Sequence, residues 1–117
     1  MKSDLIFLRH ILDEIDFLLK ATAGVDYPSF LQNELLTRAC ARSIEIIGEA
    51  TKNLSPEFRK RHKDVAWKQF AGMRDKVIHG YFGVNWAILW DVINSVFPDV
   101  KHRIEQIFSE TNLEEQP

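Results

Sequence analysis

From the first turn of the chain, Leu5, Leu8, Leu12, Ile15 and Leu19 recur at spacings of three and four, which places them on one stripe of a helix. Gly24 is positioned to stop that helix, and Asp26-Tyr27-Pro28-Ser29 reads as a turn into a second one, with Asp26 or Asn33 as its cap. In the second helix the inward stripe is Leu36, Ala39 or Cys40, Ser43, Ile47, Ala50 and Leu54. Arg38, Arg42, Glu45 and Glu49 form a separate charged stripe that reads as a solvated face or a partner surface. Gly48 inside this helix costs about 1 kcal/mol relative to Ala unless a neighbour comes close, so a tight helix crossing is expected there.

Further along, Ser55-Pro56 is a helix start, Ser as cap and Pro in the first turn, and predicts a short basic helix over 56–62. Asp64 is the next candidate cap. Trp67, Phe70, Ala71, Arg74, Val77 and Ile78 continue at helical spacing and predict a third main helix that ends near Gly80. Asn85 can cap a fourth, whose stripe is Leu89, Val92 and Val96 with Trp86 and Trp90 beside it. Pro98 interrupts, and a last helix turns Val100, Ile104 and Ile107 inward. Strand-like alternation, repeats and linkers are all missing. The expectation is an all-α fold, an antiparallel up-and-down bundle of four to five helices, as one domain over 1–110 with a polar tail over 111–117.

The 117 residues suffice for a single core but not two, and 45% hydrophobic with 27% charged residues is the make-up of a packed globule. A single cysteine, Cys40, cannot close an internal disulfide, and no leader-like segment opens the chain, which points to a cytoplasmic protein. Charges such as Asp13, Glu14 and Asp16 break every apolar run short of a membrane span. A net charge of −2 argues against a constitutive nucleic-acid coat protein, though not against a local basic site: Arg59, Lys60, Arg61, His62 and Lys63 are contiguous. That run is equally readable as a solvated helix end.

Chemistry concentrates in Arg74, His79 and Tyr81, a permanent cation, a group that titrates near neutrality and a phenol within eight residues. Such a trio suits phosphate chemistry: Arg can grip a phosphate bidentately, and His can move a proton between attacking and leaving oxygens. On a regular helix Arg74 and His79 would point about 140° apart. Local unwinding, long converging side chains or a two-fold dimer could each bring them together, the dimer being favoured with a contribution from local unwinding. Arg and His near a helix C-terminus also commonly serve the last carbonyls and the macrodipole. His10, His62 and His102 are scattered without metal-ligand spacing, and neither a P-loop nor a dinucleotide pattern occurs, so no metal or other cofactor is expected.

The segment Arg38-Ala39-Cys40-Ala41-Arg42-Ser43-Ile44-Glu45-Ile46-Ile47-Gly48-Glu49-Ala50, then Trp67 to Arg74, then His79-Gly80-Tyr81-Phe82-Gly83-Val84, resembles the HepT branch of the HEPN domains, over nearly the whole chain. Arg74, His79 and Tyr81 match the R-x4-H-x-Y pattern of that branch. The resemblance implies a toxin of a toxin-antitoxin pair: a metal-independent ribonuclease acting as a homodimer, with Arg74 and His79 catalytic in a shared cleft. It also implies a cognate MntA-like nucleotidyltransferase antitoxin that transfers AMP onto the motif tyrosine, here Tyr81. Arg38, Arg42, Glu45 and Lys76 are candidates for RNA or interface contacts. A competing expectation is a non-catalytic docking partner of a nucleotidyltransferase.

Overall fold

The computed structural model describes residues 2–78 and 83–115, with side chains for 3–78 and 83–111. Within them the chain forms α1 (Lys2–Thr22), α2 (Tyr27–Gln32), α3 (Glu34–Lys52), α4 (Pro56–Arg61), α5 (Trp67–Val77), α6 (Trp86–Ser95) and α7 (Phe97–Glu115). The fold is all-α: α2 and α4 are single short turns of helix, and the five longer helices make the bundle. Packing runs α1 on α3, α3 on α5, α5 on α6, α6 on α7 and α7 back on α1.

Caps set most of the boundaries. Asp26 accepts from the Ser29 amide and Asn33 from that of Leu36, so the two alternative caps are both used and the expected second helix divides into α2 and α3. Ser55 caps α4 and Asn85 caps α6. Gly24 ends α1 with a φ of 73°, a conformation that favours glycine. Asp64, by contrast, does not cap α5, whose start at Ala66 has no side-chain cap. Its carboxylate is bound instead by the Arg103 guanidinium at 2.5 Å, which also holds its pKa below the usual value. α7 runs on through Glu115, into the stretch expected as tail.

The core also sits slightly off the expected stripes. Leu8, Ile11, Leu12, Ile15 and Leu18 of α1 are buried, while Leu5 and Leu19 are only partly covered. The reason is that α1 packs against both α3 and α7, so its apolar face must be wider than one stripe. Ile44 of α3 and Ile93 of α6 are buried for similar reasons. Asp4, buried at the other end of α1, accepts from the Ser55 amide at 2.7 Å and the Ser55 hydroxyl at 2.8 Å, tying α1 to the start of α4. No described helix is long and apolar enough to cross a membrane.

Gly48 marks the crossing of α3 and α5. A Cβ built there would lie 3.6 Å from the Arg74 Cβ, 3.6 Å from the Phe70 carbonyl oxygen and 3.7 Å from that of Ala71, all ordinary contacts. Gly48→Ala is therefore expected to raise stability by up to about 1 kcal/mol through helix propensity, whereas Gly48→Leu should lower it by pushing α5 away. Urea unfolding of both variants checks this; a loss of stability in the alanine variant would mean that the crossing is tighter than its geometry indicates.

Candidate active site

Arg74 stands in the last turn of α5, and α5 is held where it is by the crossing at Gly48. The guanidinium is about half exposed, with Nη1 3.4 Å from the Asp75 carboxylate, a weak neighbour at the surface that leaves most of the Arg74 donors available among the described residues. Arg74 also contributes its carbonyl, which accepts from the Ile78 amide at 2.7 Å. Ile78 itself is extended (φ −107°, ψ 116°) and makes an isolated antiparallel bridge with Val84. The Asn85 amide donates to the Val77 carbonyl at 2.7 Å, so the chain on both sides of the motif is fastened together.

This geometry corrects one expectation. α5 ends at Val77, before His79 rather than near Gly80, so the angular separation of a regular helix does not govern where His79 stands relative to Arg74. His79 and Tyr81, the candidate catalytic and modified residues, lie with Gly80 and Phe82 outside the described residues. What the described chain supplies is Arg74 on one side, fixed by α3, and a clasp of Ile78 on Val84 on either side of residues 79–82.

The other candidates are placed unevenly. Arg38 is exposed and paired with Glu34 at 2.7 Å, about 15 Å along α3 from Gly48. Arg42 and Glu45 pair at 3.7 Å, with Glu45 one turn before the crossing and therefore nearer Arg74. Both pairs are surface contacts within one helix, worth a few tenths of a kcal/mol. Lys76 is exposed and lines a groove of about 740 Å³ between α5, α6 and α7, whose walls include Phe70, Met73, Ile88, Val92 and Arg103. Arg74 is not among the described residues that line it.

Cys40 and His62 are in structural roles. Cys40 is fully buried, and burial pushes its thiol up to about 11, which leaves it unreactive. The His62 ring packs against that of Phe58, tilted by 53° with centroids 4.7 Å apart, and the His62 backbone carbonyl accepts from the Trp67 indole at 2.9 Å. Burial and, after it, the Arg103 charge hold His62 below the ordinary imidazole value, as expected of a core histidine. His10, His62 and His102 stand on different elements, and among the described residues no three His, Cys, Asp or Glu side chains gather that could hold a metal ion. Nothing in the sequence marked Arg103, which joins Asp64 and Glu110, because its partners are 39 and 7 residues away.

Comparison with known proteins places the chain among ribonucleases. The family model described as ribonuclease HepT-like matches residues 11–107. A candidate RNase of Caldanaerobacter subterraneus subsp. tengcongensis is 48% identical over 107 residues, which cover 92% of this chain and 96% of that protein. A candidate RNase of Methanocaldococcus jannaschii is 40% identical over 94% of this chain and 91% of its own length. The probable ribonuclease HepT of Thermococcus cleftensis is 35% identical over 86% and 92%. No solved structure matches the chain.

Proposed function

The chain belongs to the HepT-like ribonuclease family, and we propose that it is a metal-independent ribonuclease toxin whose chemistry is carried by Arg74 and His79. The observation that supports this reading is the position of Arg74: a largely available guanidinium at the end of a helix fixed by a close crossing, four residues before the clasp from which His79 follows. In the proposed reaction the RNA 2′-hydroxyl loses its proton to a histidine base and its oxygen attacks the adjacent phosphorus. The 5′-oxygen then leaves, taking up a proton, and a 2′,3′-cyclic phosphate remains. Arg74 binds the non-bridging oxygens, where negative charge grows. Two copies of the chain, related by a two-fold axis, bring two such pairs into one cleft.

Tyr81 is the control point in this proposal. A cognate MntA-like nucleotidyltransferase cuts ATP between its α- and β-phosphates, joins AMP to the phenol oxygen and releases pyrophosphate. The added phosphate places negative charge beside Arg74 and fills the cleft. Intact-mass spectrometry with and without that enzyme and ATP tests it: a gain in AMP units, absent in Tyr81→Phe, is expected to accompany loss of RNA cleavage. An RNA lacking the 2′-hydroxyl at the scissile ribose is expected to stay intact; its cleavage would overturn the mechanism.

A further inference from the structure

Four cations line one cavity of about 440 Å³ at the corner where α4 meets α5: Arg59 and Lys60 of α4, Lys63 of the connection, and Lys68 in the first turn of α5. Among the described residues no carboxylate lines it. Asp64, next to Lys63 in the chain, is held by Arg103 of α7. Among the described residues, none of the four makes an ion pair. The Arg59 Nε–H is buried without an acceptor among the described residues, so none of them competes for that part of the guanidinium. α5 opens there without a side-chain cap, adding the positive end of its dipole to the same corner. Like charges gathered in this way repel one another, and an anion is what relieves them.

The cavity does not stand alone. Val65, Ala66 and Gln69 form part of its wall and also part of the wall of the larger groove, which follows α5 down to Lys76. Trp67 at the corner and Arg74 at the motif are seven residues apart, about 10 Å along the helix axis. Cationic groups therefore stand at both ends of α5, Lys68 with its neighbours at the start and Arg74 with Lys76 in the last turn. One free phosphate could occupy only one end. A strand carrying phosphates at regular intervals meets both.

We propose that the α4–α5 corner is an RNA-phosphate exosite, which grips single-stranded RNA away from the scissile bond, at the opposite end of α5 from Arg74. The proposal rests on the ribonuclease reading given above, and it accounts for the contiguous basic run in a chain of net charge −2. An exosite of this kind acts on binding and not on the chemical step, so its residues are positioning residues.

The test compares wild type with Lys60→Gln/Lys63→Gln/Lys68→Gln on two substrates, a dinucleotide and a single-stranded oligoribonucleotide of about 15 nucleotides. Neutralising three exposed lysines leaves the core and Arg59 untouched. For the long RNA, KM is expected to rise roughly tenfold with kcat unchanged, and the slope of log kcat/KM against log salt to flatten by about two. Cleavage of the dinucleotide should not change, because it is too short to reach the corner. Unchanged KM and salt slope in a variant whose parent cleaves RNA would overturn the exosite alone, including the case in which the lysines prove to hold an acidic protein instead. A wild-type chain that neither cleaves nor binds RNA would overturn the ribonuclease reading and the exosite with it.

Discussion

Arg74→Ala is expected to lower kcat for RNA cleavage by roughly two to three orders of magnitude, the usual effect of removing one preorganised donor from a developing oxyanion. The variant is a fair probe because alanine keeps the Cβ that rests on α3 at Gly48, and among the described residues the lost guanidinium pairs only weakly, at 3.4 Å, with Asp75. Stability should therefore hardly change, and a urea melt alongside the kinetics separates lost chemistry from lost fold. Arg74→Lys retains the charge but not the planar pair of donors, so it should recover only part of the rate. A KM effect with normal kcat in the alanine variant would make Arg74 a substrate-binding group only, and a wild-type rate would remove it from the mechanism.

Phe30→Ala is expected to cost about 3–5 kcal/mol, a large share of the roughly 5–15 kcal/mol that stabilises a domain of this size. Phe30 is fully buried, its ring centroid 4.7 Å from that of Trp90 and 5.9 Å from that of Trp86, and Tyr27 reaches Trp90 at 5.8 Å. α2 has only six residues and cannot persist alone, so its place depends on this aromatic packing and on the Asp26 cap. The loss would extend to α6, whose cap Asn85 donates to Val77 beside the motif. Urea unfolding followed by tryptophan fluorescence reads the effect directly, since Trp86 and Trp90 are the residues uncovered. A change below about 1 kcal/mol would mean that the cavity collapses freely or that α2 is not part of the stable core.

Much of the fold was legible because the signals that set it act within one turn. Asp26, Asn33, Ser55 and Asn85 each accept from an amide three residues on, which is a property of the local backbone and independent of what packs around it. Gly48 announced a helix crossing by the cost of having no side chain, and the crossing is there. Asp64 misled because a cap competes with any strong donor nearby, and Arg103 comes from 39 residues away. The end of α5 was missed by three residues: nothing within the helix pattern stops it at Val77, and the bridge of Ile78 to Val84 requires a residue beyond the motif.

The candidate site divides along the same line. Its residue types and their spacing, Arg74 with His79 and Tyr81, were determined by the sequence alone, as were the all-α class and most helix starts, because all of these are set by neighbours within a few positions. Tertiary structure alone decided that α1 buries a wider face than one stripe, that α5 stops short of His79, and that four cations from α4, its connection and α5 line one cavity. Those outcomes depend on which distant side chains arrive, and burial, ion pairing and bridge formation are settled only when the packed partners are in place.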